Sequence, residues 1–174
     1  MAADTTTSRA PDARFLLSHP AHFIALGFGA GLAPKAPGTF GTVAAVPIYW
    51  ALALVLPPLA IAFLSIPLFF VGVWACERTG RDLGVSDHGS MVWDEIVAFL
   101  PLLAVSSQDW RLQAYAFVLF RVFDIWKPPP IRELERNVKG GMGVMIDDVV
   151  AAFYAYVVFV ITIVVAYKII GVPW

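Results

Sequence analysis

Residues 140–170 read GGMGVMIDDVVAAFYAYVVFVITIVVAYKII. After Asp147 and Asp148 come nineteen residues without a charge, ending at Lys168. The hydrocarbon core of a bilayer is about 30 Å thick and takes about 20 apolar residues of helix to cross. Surface helices of soluble proteins keep a polar face, and this run has none. It decides the fold class: an all-α, polytopic integral membrane protein. It also poses a question, because carboxylates are costly near lipid and an adjacent pair at the mouth of such a run needs a reason.

The remaining composition agrees. Of 174 residues, 59% are hydrophobic, against roughly 45–50% in ordinary soluble domains. Mean hydropathy is +0.75 and charged residues make up 14%. The formal net charge of −1 speaks against a nucleic-acid binder, which would be basic. A single cysteine, Cys76, excludes an intrachain disulfide and a Cys-rich metal site. The opening MAADTTTSRAPDAR is polar and mixed in charge, without the apolar core and small-residue cleavage site of a signal peptide. It reads as a mobile polar tail over residues 1–14, ahead of one membrane-embedded domain over 15–174.

Other apolar runs fall at about 41–56, 59–76, 92–106 and 110–124. Pro57 and Pro58 break the first two into a hairpin, since proline disfavours helical geometry in the residue before it. Together with 149–168 these predict five crossings, with four as the fallback. HFIALGFGAGL at 22–32 is short and glycine-rich, which predicts an interfacial or re-entrant segment. With five crossings, ten of the twelve lysines and arginines share one face, leaving Arg111 and Lys168 on the other. By the positive-inside rule the rich face is cytoplasmic. Twelve of the thirteen acids share that face, Asp109 being the exception.

Three polar segments converge there: GLAPKAPGTFGT (31–42), DHGSMVWDE (87–95) and FRVFDIWKPPPIRELERNVKGGMGVMIDD (120–148). Asp94 and Glu95 open one apolar helix, Asp147 and Asp148 open another, and Asp124 closes a third. WDEIVAF and IDDVVAA are similar enough to be a faint repeat, or simply two acidic helix starts. An acid at a helix start can serve as an N-cap favoured by the helix dipole, but one acid suffices for that. Five acids at one depth repel strongly in a low dielectric, and a divalent cation would relieve them. With hard oxygen ligands and no histidine or cysteine cluster nearby, that cation would be Mg²⁺.

KAPGTFGT offers Gly38 and Gly41 for close backbone approach, Thr39 and Thr42 as hydroxyls, and Lys35 as a cation. Such a turn forms an anion nest or, more commonly, packs helices; it lacks the Gly-Lys-Ser/Thr of a Walker loop. Arg121 and Asp124 share a helix face. Lys127 precedes three prolines and can meet either a phosphate or lipid headgroups. GGMG at 140–143 gives the backbone freedom to position Asp147 and Asp148. Asp87 and His88 neighbour the acids as auxiliaries, whereas Cys76, His19 and His22 read as structural. Gly27 and Gly31 form a small-residue pattern suited to helix contact.

Taken together, GFGAGLAPKAPGTFGT, DHGSMVWDEIV and FRVFDIWKPPPIRELERNVKGGMGVMIDD resemble the phosphatidylglycerophosphatase A family over roughly residues 20–155. The resemblance implies a bacterial inner-membrane enzyme that removes the terminal phosphate of phosphatidylglycerophosphate with Mg²⁺, giving phosphatidylglycerol and inorganic phosphate. It implies that Asp94, Glu95, Asp124, Asp147 and Asp148 are the catalytic and metal-binding set, with Lys35, Gly38, Thr39, Arg121 and Lys127 on the phosphate. Two other readings compete. A small ion or proton channel or transporter would use clustered intramembrane acids. A scaffold for anionic lipid would use the cations of 121–139, but it has no need of five acids.

Overall fold

The computed structural model describes residues 10–106 and 108–171. Every regular element among them is helical. Two short helices, α1 (Ala13–Ser18) and α2 (Pro20–Ala25), lead through a 3-10 segment, Gly27–Leu32, to α3 (Pro37–Ala53). Then follow α4 (Pro58–Leu83), α5 (Trp93–Val105), α6 (Trp110–Trp126), α7 (Ile131–Asn137) and α8 (Gly140–Ile170). The tail expected over 1–14 falls outside the described residues as far as residue 9. The Asp12 side chain caps α1 by accepting from the Phe15 N–H.

Among the described residues, two helices are long and apolar enough to cross a membrane: α4, with 26 residues, and α8 over 140–169. At 1.5 Å per residue the 17 residues of α3 and of α6 span about 26 Å, near the lower limit for a crossing. The expected crossing at 92–106 is different. Helix α5 has 13 residues, about 20 Å, and all of Met91–Leu100 is buried. Its run is apolar because protein surrounds it on every side, a case that apolarity alone does not separate from a lipid-facing span. Phe99 stacks on Phe120 of α6 with ring centroids 5.5 Å apart, and α3, α4 and α8 complete its sheath. Prolines sit inside α3, α4 and α5 (Pro47, Pro67 and Pro101), a placement that membrane helices tolerate better than soluble ones.

The segment over 22–32 is neither a strand nor a spanning helix. The second short helix and the 3-10 turn pack on α4 and α3, held by His22. That side chain is buried, stacks on Phe15 at 4.0 Å and hydrogen-bonds through Nε2 to Asp82 Oδ2 of α4 at 2.9 Å. Gly27 and Gly31 do make the close contact that their spacing suggests, but within this chain. A Cβ at Gly27 would strike Val92 and Ile96, and one at Gly31 would strike the Ser90 carbonyl. The pattern therefore docks the N-terminal segment onto the start of α5.

The largest departure from the sequence reading concerns α8. It begins at Gly140, so Asp147 and Asp148 stand two turns inside it rather than at its start. Its first turn is served from another helix: Glu77 Oε2 of α4 accepts the Gly141 N–H at 2.8 Å. The glycines at 140–141 are needed for approach to α4, because a Cβ on Gly141 would strike the Val73 carbonyl.

Candidate active site

Four helices bring their polar ends together. The first turn of α5 supplies Asp94 and Glu95, the last turn of α6 supplies Asp124 beside Arg121, and the third turn of α8 supplies Asp147 and Asp148. The start of α3 supplies the glycine turn. Asp94, Glu95, Asp147 and Asp148 are each at most 9% exposed. Carboxylates so buried need partners, and the partners divide them into two groups.

Asp124 and Asp147 are each matched by a cation. Arg121 Nη1 pairs with Asp124 Oδ2 three residues on, and lies 3.8 Å from Glu95 Oε1. Lys127 Nζ donates to Asp147 Oδ2 at 2.7 Å. Lys127 reaches it because it is the residue that ends α6: its φ of 46° turns the chain into the left-handed region, ahead of Pro128–Pro130. Its ammonium thus belongs to the acid cluster rather than to the surface.

Asp94, Glu95 and Asp148 form the second group. Each offers one carboxylate oxygen such that the three lie within 4.8 Å of one another. Asp94 Oδ1, Glu95 Oε2 and Asp148 Oδ2 are buried without a hydrogen-bond partner, and so is Arg121 Nε beside them. Five acids against two cations leave a formal charge of −3 in one buried cluster. The residues present fit a Mg²⁺ ion: the donors are hard, anionic and unpaired.

The glycine turn forms the roof. A Cβ on Gly38 would fall on Glu95 Oε1 and come within 3.3 Å of Arg121 Nη1, so only a glycine allows α3 to start against these two side chains. Gly41 does the same against Val92. Thr42 is fully buried, donates to the Gly38 carbonyl at 3.0 Å and accepts from Arg121 Nη1 at 3.4 Å. Thr39 is half-buried, and its N–H bonds the Ala36 carbonyl at 2.9 Å. Lys35 is exposed at the approach to this turn.

Asp87 and His88 lie on the loop before α5, outside the buried set. Asp87 is exposed and lines a polar cavity of about 190 Å³ with Lys139 and Asp147. His88 Nδ1 accepts from the Ser90 N–H at 3.1 Å, which shapes the loop. Cys76 is wholly buried in the core, in keeping with a structural role. Glu77 was not singled out from sequence, and no local signal marks it. Its partner Gly141 is 64 residues away, and its i,i+4 pairing with Arg81 is common on any exposed helix.

The family described as PgpA: Phosphatidylglycerophosphatase A matches residues 23–163. Phosphatidylglycerophosphatase A of Escherichia coli (strain K12) is 48% identical over 139 residues, covering 79% of this chain and 80% of that protein. The protein of the same name from Haemophilus influenzae is 42% identical over 153 residues, 87% of this chain and 94% of its own length. A protein of Bacteroides thetaiotaomicron named putative phosphatidylinositol-3-phosphatase is 43% identical over 146 residues, 79% of this chain and 90% of its own. No solved structure matches the chain.

Proposed function

Because the chain belongs to the phosphatidylglycerophosphatase A family, we propose that it hydrolyses phosphatidylglycerophosphate to phosphatidylglycerol and inorganic phosphate with Mg²⁺. It would work as a multi-pass protein of the bacterial inner membrane, with the acid cluster at the cytoplasmic face. The observation that carries the reading is the group of three buried carboxylate oxygens without partners on Asp94, Glu95 and Asp148. These three residues would hold the ion, whose chemistry is to neutralise charge on phosphate oxygens and to acidify bound water.

The chain's own residues account for the remaining work. Arg121 holds Glu95 and Asp124 through Nη1 and keeps Nε, buried and unpaired, for a phosphate oxygen. Lys127 fixes Asp147 and brings a second positive charge beside the phosphate. Asp147 and Asp124, paired with Lys127 and Arg121, are placed to accept a proton or to attack phosphorus. Gly38 keeps side-chain bulk out of the space over Glu95, and Lys35 and Thr39 stand at its entrance. His88 shapes the loop before α5, and Asp87 stands in the polar cavity beside Asp147 as an auxiliary.

The channel reading loses its main support. A proton path needs acids stepping across the membrane, whereas these gather in one cluster. The test is phosphate release from phosphatidylglycerophosphate in mixed micelles, run with Mg²⁺ and with chelator, alongside phosphatidylinositol 3-phosphate. Release from the first lipid that disappears with chelator is expected. Undiminished release in chelator would overturn the metal assignment, and preference for the second lipid would overturn the substrate.

A further inference from the structure

An apolar groove of about 540 Å³ opens between α4, α5 and α8. Its α5 wall includes Val97, Ala98 and Pro101, three, four and seven residues beyond Asp94. That spacing keeps them on one helix face with the acid. Its α8 wall includes Val149 and Ala152, and Ala152 follows Asp148 by four residues, one turn along the same face. The groove therefore begins about one turn from two of the three carboxylates that have unpaired oxygens. Its rim on α4 carries Ile66, which is exposed.

We infer that this groove holds one acyl chain of the lipid whose phosphate meets the acid cluster. The inference rests on the lipid-phosphatase reading above and adds where the substrate's tail lies. A phosphate at Asp94 and Asp148 is tied to its chains through a glycerol backbone, so the chains must leave along a surface close to those residues. A second groove runs along α6 from Phe117 past Arg121 to Trp126 and Arg132, but its lining includes no residue of α5 or α8, the helices that carry Asp94, Glu95 and Asp148. Only the α4–α5–α8 groove shares helix faces with the unpaired oxygens.

The energetics set what the groove can contribute. Lipid tails are as apolar as its walls, so moving a chain from bilayer to groove has little hydrophobic driving force. The groove acts by orientation: it aligns the phosphate with the cluster, and small misplacements of a reacting group cost large factors in rate. Blocking it lowers kcat more than it raises KM.

Two substitutions fill it. Ala98→Phe fills it from within, and Ile66→Trp fills it from the exposed rim, where packing of the core is not at stake. Each is assayed on phosphatidylglycerophosphate with long chains and on the same head group with short chains. Wild type is also irradiated with a long-chain substrate carrying a diazirine in mid-chain. The expected results are a kcat loss at least about ten-fold greater for the long-chain lipid than for the short, and labelling of α5 and α8 that falls when the groove is filled. Equal losses on both substrates, or labelling confined to α3 and α6, would each overturn the inference. Failure of wild type to release phosphate from either substrate would instead overturn the functional reading.

Discussion

Two acidic pairs, Asp94–Glu95 and Asp147–Asp148, sit in almost the same local text, WDEIVAF and IDDVVAA, yet occupy different positions in their helices. The first pair stands in the opening turn of α5. There, near the end of the helix whose amides have no intrahelical partner, it gains from the helix dipole. The second pair stands two turns inside α8, where every nearby amide is already bonded within the helix and a cap has no purpose. The pairs also divide differently. Asp94 and Glu95 both turn to the shared centre, whereas Asp148 turns inward and Asp147 turns to Lys127. Asp147 and Asp148 can diverge in this way because adjacent residues on a helix point about 100° apart. Acids at a helix start have a local reason to be there. Acids two turns inside an apolar helix have only a tertiary one.

The sharpest way to break this comparison is substitution at Asp148. Asn caps a helix about as well as Asp, so a capping role predicts near-normal turnover for Asp148→Asn. A role in holding Mg²⁺ predicts a loss of at least about a hundred-fold, the loss of about 3 kcal/mol of charged interaction. The same substitution removes one of several like charges crowded in a low dielectric. In chelator, Asp148→Asn should therefore melt at or above the wild-type temperature. Mg²⁺ should raise the melting temperature of wild type and do much less for the variant, by linkage of binding to folding. Asp94→Asn should lose as much activity but gain less stability in chelator, because it also gives up a dipole interaction of about 0.3–1 kcal/mol. Identical melting behaviour of the two variants would erase the distinction between the pairs.

A smaller effect tests the outward member of the second pair. Lys127→Ala should lower kcat/KM by roughly ten- to a hundred-fold, as expected for one charge-assisted hydrogen bond of about 1.5–3 kcal/mol. If Lys127 acts with Asp147, combining Lys127→Ala with Asp147→Asn should cost less than the two separate losses together. Strict additivity would mean that the ammonium serves phosphate independently of Asp147.

The smallest effect concerns the start of α8. Glu77→Gln keeps an oxygen for the Gly141 N–H but loses its charge, so stability should fall by about 1 kcal/mol with turnover within about two-fold of wild type. A large loss of turnover at unchanged stability would show that α8 is positioned for catalysis through Glu77 and not merely anchored there.

Much of this was legible in the chain itself. The apolar runs placed α3, α4, α6 and most of α8. The prolines at 57–58 marked the hairpin between α3 and α4, and those at 128–130 marked the end of α6. The acids, Arg121 and Lys127 stood out because charge is scarce and clustered in so apolar a sequence, and Gly38 because it falls in a glycine turn between apolar runs. Composition reports the environment a residue must have, and that is a local property.

What the sequence left open was depth and partnership. It read α5 as a crossing because burial in protein and burial in lipid select the same side chains; only the helices packed around Met91–Leu100 distinguish them. It started α8 at the acids because the helix's first turn is stabilised by Glu77, 64 residues away, and such a contact has no local signature. It could gather five acids to one face but could not separate the two that bind cations from the three whose oxygens remain unpaired. That division depends on which way each carboxylate points across four helices, and only the packing of those helices determines it.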